Sequence, residues 1–233
     1  MKKDKFFLLF TVLVLTTLIF YSQFKNKSRT KGEFVLSFHN GSKFLNDSLV
    51  DKLLIQKLQL DKNESNLILD LREIEEFLEI QPEVLNAEVY TLPNGNIKTE
   101  ILERKPVIRV FDKGFYLDEN GVKIPLSKNH TYRVPVFLNS FENKNIDDII
   151  FLTMIMLNDS FFKNEFSQMW IENNQLHFRL RNFDFDILWG RNTKVNHKIK
   201  KLKAFCVYFQ GDTINKILKK IDLSIENQIV AIE

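Results

Sequence analysis

The first hydrophobic signal along the chain is an uncharged apolar run, Phe6–Phe24, preceded by Lys2, Lys3 and Lys5. A helix of about 19 residues at ~1.5 Å per residue reaches across a bilayer core, so the run reads as a membrane span. It leaves through Tyr21, Ser22, Gln23 and Phe24 with no small-residue cleavage pair, and the single cysteine, Cys206, lies far from it. An uncleaved anchor is therefore favoured over a removable signal or a lipoprotein leader. Lys25, Lys27, Arg29 and Lys31 follow the run, so local charge leaves open which end faces inward.

Beyond a basic spacer, Glu33–Phe38 is apolar and β-prone, and Asn40-Gly41 marks a turn. Ser48 is placed to cap a helix with Leu49, Val50, Leu53, Leu54 and Leu58 along one side. Asp70 and Glu73 open a second helix striped by Leu71, Ile74, Phe77 and Leu78, and Pro82 stops it. Val84–Leu92 and Ile97–Glu103 flank Asn94-Gly95, a strong hairpin signal. The order strand, helix, helix, strand, strand gives a small sheet backed by two helices.

After Pro106 the texture turns to short strands: Val107–Phe111, Phe115–Asp118, Val122–Pro125 and Val134–Leu138. A helix over Ile146–Leu157 follows, then strands Gln168–Glu172, Gln175–Arg181 and Phe183–Trp189, with Asn173-Asn174 as a turn. Val195, Ile199, Leu202, Cys206 and Phe209 recur at helical spacing. The chain ends with Ile221, Leu223 and Ile225 alternating against Asp222, Ser224 and Glu226, followed by Gln228–Glu233. The expected fold class is α+β: an N-terminal transmembrane helix, a β-α-α-β-β unit and a strand-rich unit with two helices.

Composition removes several classes of function. The net charge is +3, with much of the excess beside the apolar run, which argues against a nucleic-acid partner. Lys198, Lys200, Lys201 and Lys203 read as the solvated face of a helix whose other side is apolar. His39, His130, His177 and His197 lack metal-ligand spacing, so neither a metal nor any other cofactor is expected. Asp184 and Asp186 share a strand face, but their alternation with Phe183, Phe185 and Ile187 reads as an ordinary two-faced strand rather than an acid–base pair. Glu103, Arg104 and Lys105 read as a strand end passing into solvent. With no nucleophile–base set and no phosphate-binding loop, no enzyme and no small-molecule substrate are expected.

The segment Pro82–Tyr90 (PEVLNAEVY), then Asn94-Gly95, Arg104, Pro106 and Arg109, resembles the core of the FtsQ/DivIB cell-division family in a form like that of Bacteroidetes. Tyr116–Gly121 (YLDENG), Arg133-Val134-Pro135, Gly190 with Lys198, Leu202 and Phe205, and Ile221–Leu223 with Asn227–Val230 continue the resemblance in order. It implies a cytoplasmic tail (1–5), a transmembrane signal anchor (6–24), a spacer (25–31), a POTRA domain (32–106) and an FtsQ-type β domain (107–233). It also implies a single-pass type II protein of the inner membrane, its bulk periplasmic and enriched at the division septum.

The implied function is a non-enzymatic divisome scaffold that links early and late division proteins. It would hold FtsL and FtsB through its C-terminal edge strand and meet others such as FtsK and FtsW. Carried over by position, the partner strand is Ile225–Glu233, preceded by a strand Lys219–Ser224, and the partner-binding residues are Ser224, Ile225, Glu226, Asn227, Gln228, Ile229, Val230, Ala231, Ile232 and Glu233. Ser224-Ile225 stand where the family commonly has Arg-Tyr. Two other readings compete: a POTRA-bearing envelope chaperone or assembly factor, and a membrane-tethered hydrolase.

Overall fold

A computed structural model of the chain describes residues 2–27, 34–39, 41–61, 71–139, 142, 145–211, 218–226 and 228–233. The chain divides into two compact units. The first comprises Met1–Ser42, Asp47–Ile80 and Val84–Leu102; the second comprises Lys43–Asn46, Gln81–Glu83 and Glu103–Glu233.

The apolar N-terminal run forms α1 (Lys2–Lys27), with its side chains described from Phe10 to Gln23. Among the described residues no helix is long and apolar enough to cross a membrane. The anchor expected over Phe6–Phe24 therefore rests on the sequence and not on the fold.

The rest of the first unit runs β1 (Phe34–Phe38), α2 (Asp47–Asp61), α3 (Leu71–Glu79), β2 (Val84–Thr91) and β3 (Ile97–Glu103). The sheet order is β1-β3-β2, with β1 parallel to β3 from Phe34↔Ile97 to Phe38↔Ile101. Parallel pairing demands a crossover, which α2 and α3 belong to. Val50, Leu54, Ile74 and Leu78 of the helices are buried, as are Ala87, Val89 and Ile101 of the strands. Gly95 has φ +89°, the left-handed backbone that the β2–β3 turn needs. The outer strand β2 does not leave all its amides bare. Glu79 accepts the Ala87 N–H at 3.2 Å and Glu75 accepts that of Val89 at 2.7 Å, so carboxylates of α3 occupy that edge. Helix α2 begins at Asp47, which puts Ser48 inside the first turn rather than at the cap. Asn40, Asp70 and Glu33 lie outside the described residues.

The second unit contains β4 (Pro106–Val110), β5 (Phe115–Asp118), β6 (Lys123–Pro125), β7 (Val136–Phe137), α4 (Ile146–Asn158), β8 (Phe166–Glu172), β9 (Gln175–Leu180), β10 (Asp186–Gly190), α5 (Val195–Gly211), β11 (Lys220–Asp222) and β12 (Val230–Ile232). They form one nine-stranded sheet in the order β12-β11-β10-β9-β8-β7-β4-β5-β6. The parallel neighbours β7–β8 and β10–β11 are bridged by α4 and α5 respectively. Ile149, Leu152 and Met156 of α4 and Leu202 and Cys206 of α5 join Phe178, Ile187, Trp189 and Ile221 in a single core. Asn173 and Asn174 carry φ 51° and 59°, the paired left-handed residues of a two-residue hairpin turn.

Three elements are shorter than the sequence pattern suggests. Strand β7 spans two residues of the expected Val134–Leu138. Strand β10 starts at Asp186, because Phe183 and Phe185 precede the pairing and pack into an aromatic group with Phe205 and Phe209. Strand β12 covers only the end of Ile225–Glu233.

The reading of Glu103–Lys105 as a solvated strand end is overturned. The buried Glu103 carboxylate accepts the N–H groups of Lys43 (2.9 Å), Phe44 (3.0 Å) and Leu45 (2.8 Å). Arg104 Nη1 donates to the buried Asp118 at 3.0 Å, and the other Asp118 oxygen takes the amides of Asn120 and Val122. Lys105 alone of the three is exposed. Glu103→Ala strands buried amides and is expected to cost about 3 kcal/mol, whereas Lys105→Ala stays within roughly 0.5 kcal/mol. Urea unfolding of the two variants checks the contrast.

Candidate partner-binding edge

A sheet of nine strands has two outer strands, and here they differ. Strand β6 is three residues long, ends in Pro125, which has no N–H to offer, and begins with a charged Lys123. Proline and lysine are the residues that blunt an edge against strand addition. Strand β12 carries neither. It pairs with β11 through Lys220↔Ile232, Ile221↔Ala231 and Asp222↔Val230, and Ile232 remains 48% exposed. Among the described residues no strand lies on its outer side.

What holds this edge is a set of lysines on α5. Lys201 Nζ donates to three carbonyl oxygens in the segment before β12: Ile225 at 2.7 Å, Glu226 at 3.1 Å and Gln228 at 3.2 Å. An ammonium has three donors, and all three are used. The carbonyls of Ile225, Glu226 and Gln228 thus turn toward α5 rather than along a ladder. That is why the strand expected over Ile225–Glu233 forms only at Val230–Ile232. Glu226 also pairs with Lys194.

One turn earlier on α5, Lys198 is only 5% exposed. Its Nζ donates to the carbonyls of Trp189 and Arg191, each at 2.7 Å, and sits 4.9 Å from the centre of the Trp189 ring. Burial, reinforced by Lys201, lowers its pKa from the ordinary lysine value. Burial lowers that of Lys201 too. Gly190 has φ +73°, and a Cβ there would stand 3.0 Å from the Ser224 Cβ. The end of β10 and the residue after β11 are thus drawn together, with the Leu223 N–H donating to the Leu188 carbonyl at 2.9 Å. The four lysines are therefore not one solvated face. Lys198 and Lys201 bind backbone carbonyls, Lys203 reaches Asp159 at 2.7 Å, and Lys200 is exposed. The sequence held a signal for this: Lys198 lies three residues after Val195 and four before Leu202, on the apolar stripe itself.

The ten expected site residues are distributed accordingly. Ser224, Ile225 and Glu226 are exposed, the last two in a bend and turn, and Asn227 lies outside the described residues. Gln228 is exposed, Ile229 packs against the core, Val230, Ala231 and Ile232 form β12, and Glu233 follows it exposed.

A direct row of cross-strand neighbours runs inward from the edge: Val230, Asp222, Leu188, His177 and Trp170. His177 is 2% exposed and stacks on Trp170 at 5.6 Å with the rings 20° apart. Burial first, then the Lys220 charge, pushes its pKa below the ordinary 6.5.

The other candidate groups are not assembled for chemistry. Asp186 pairs with Arg179, whose Nε donates at 2.8 Å, while Asp184 is exposed before the strand begins. Among the described residues no three His, Cys, Asp or Glu side chains come together as metal ligands. Cys206 is buried and its thiol pKa is pushed up to about 12 by that burial, with a smaller contribution from Glu165. It remains a thiol at neutral pH and so lacks the thiolate a nucleophile needs.

Two outcomes follow. Lys201→Met removes the donor shared by three carbonyls and should lower stability by about 1–2 kcal/mol. Amide hydrogen exchange at Val230–Ile232 should then quicken well before exchange in α4 does. His177 binds its proton less readily folded than unfolded, so the unfolded chain gains protons first as pH falls. Its stabilising contribution is complete above pH 6.5 and declines as pH drops from there toward the lowered folded pKa. Chemical denaturation between about pH 7.5 and 5.5 should show that loss, and His177→Phe should flatten it.

Comparison with curated proteins finds no match. Comparison with protein families matches residues 105–232 to the family described as FtsQ/DivIB, C-terminal related. The match covers more than half of the chain and includes β4–β12, the Glu119–Gly121 turn, the lysines of α5 and the open edge. This chain belongs to the FtsQ/DivIB family of cell-division proteins through its C-terminal unit.

Proposed function

We propose that the chain is a non-enzymatic scaffold of the division machinery that captures an FtsL–FtsB pair by taking a partner strand onto β12. The observation that carries this reading is the contrast between the two outer strands, one ending in proline and one open. Strand addition draws affinity from main-chain N–H and C=O groups and selectivity from the flanking side chains. Here those side chains are Val230 and Ile232 on one face and Ile229 and Ala231 on the other. Ile225, 39% exposed, supplies an apolar surface in place of the aromatic and cationic pair common in the family.

The rest of the chain serves presentation. Phe6–Phe24 is a single-pass signal anchor with residues 1–5 in the cytoplasm and the bulk in the periplasm. The uncharged apolar run of about 19 residues in the sequence supports the anchor. The β-α-α-β-β unit is a POTRA domain, which its element order supports, and it meets other division proteins such as FtsK and FtsW.

Proline tests the edge directly, because it deletes one N–H and little else. Successive residues of a strand point their N–H groups to opposite sides, so Val230→Pro and Ala231→Pro each remove a different one. At least one of the two should reduce capture of co-purified FtsL–FtsB by the full-length protein more than tenfold, with hydrogen exchange in β8–β10 unchanged. Undiminished capture by both variants would sink the reading.

A further inference from the structure

A second surface, away from β12, is shaped to receive a helix. Along α4 runs an open groove of about 660 Å³. Phe151, Met154 and Ile155 of α4 and Ile199 of α5 give it an apolar floor. Phe151 is 46% exposed there, although the opposite side of α4 is packed into the core through Ile149, Leu152 and Met156. Thus α4 is apolar on both sides, while only one side is covered.

The polar groups around this floor are unevenly charged. Glu119 and Asp147 lie at the end where α4 begins. The β5–β6 turn is pressed against that end: a Cβ on Gly121 would stand 2.6 Å from the Ile146 Cγ2, which keeps Glu119 beside the helix start. At the far end Asp159 is already occupied. One of its oxygens takes the Phe161 and Phe162 amides, and the other is 2.7 Å from Lys203 Nζ. Among the described residues the lining contains no lysine and no arginine. Among those residues one end is net negative, the other is balanced, and the middle is apolar.

We propose that this groove docks an amphipathic helix whose apolar stripe lies on Phe151, Met154 and Ile155 and whose basic end lies over Glu119 and Asp147. The length of the floor, from Asp147 to Asp159, corresponds to about 18 Å of helix, or roughly three turns of an occupant lying alongside α4. The charge difference between the two ends fixes its direction. An apolar stripe read at helical spacing is a standard mode of helix recognition, and the carboxylates add selection against acidic partners.

The test uses the full-length protein in lipid nanodiscs and two labelled model peptides of about 14 residues. Both carry the same leucine stripe; one has two lysines at its end and the other two glutamates. Fluorescence anisotropy should show the lysine peptide bound roughly tenfold more tightly, with the difference shrinking as salt rises. Phe151→Asp should abolish binding of both. Glu119→Lys combined with Asp147→Lys should reverse the preference. Val230→Pro should leave binding unchanged, which separates this surface from the β12 edge. Equal affinity for the two peptides, binding that survives Phe151→Asp, or self-association through Phe151 with no peptide bound would each overturn the proposal.

Discussion

Two parallel strands cannot be joined by a tight turn, and near the C-terminal end of this sheet that constraint organises what surrounds it. β10 and β11 run side by side in the same direction, so the chain has to leave the sheet, cross over and return. The crossover contains α5, and its apolar stripe is what makes the excursion favourable. Leu202 and Cys206 are fully buried, and Phe205 and Phe209 close around Phe185 at 5.7 and 5.3 Å. Each large apolar side chain removed from water contributes on the order of 2 kcal/mol. With the helix fixed by that burial, its lysines are fixed as well. Lys198 is carried under the end of β10, and Lys201 is carried to the segment that leads into β12.

The outermost strand is therefore held at second hand. Strand β12 is three residues long and is joined to the sheet by a single neighbour. So short a strand has little stability of its own, and it depends on the segment before it being correctly placed. Lys201 does this for Ile225, Glu226 and Gln228, Lys194 adds the Glu226 ion pair, and Ile229 contributes a contact with the core. A lysine suits this task because its three donors are independent and its charge draws carbonyl oxygens inward.

Much of this architecture was legible in the sequence. Strands β3 and β5 span the residues the sequence marks out, and Asn94-Gly95 and Asn173-Asn174 mark the β2–β3 and β8–β9 turns as turn chemistry requires. The C-terminal location of the edge came from an ordered resemblance, and the family match covers the same region. What could not be read was the set of contacts between side chains and distant backbone. Glu103 reaches amides 58–60 residues earlier, and Lys201 reaches carbonyls 24–27 residues later. Periodicity reports which face of an element is apolar, and it assigns charged residues to solvent by default. It has no term for a carboxylate that replaces water with three amides, nor for an ammonium that replaces it with three carbonyls. The strand carried over by position to Ile225–Glu233 is longer than β12 for the same reason: the carbonyls of Ile225, Glu226 and Gln228 have been taken elsewhere.

The proline that closes β6 carries a consequence for stoichiometry. A sheet open at both edges can pass strands from copy to copy without limit, and such head-to-tail contacts build filaments. With Pro125 terminating one margin, this sheet can lengthen from the other margin only. If β12 takes a guest strand as proposed, each copy would end sheet growth there rather than hand the pattern on.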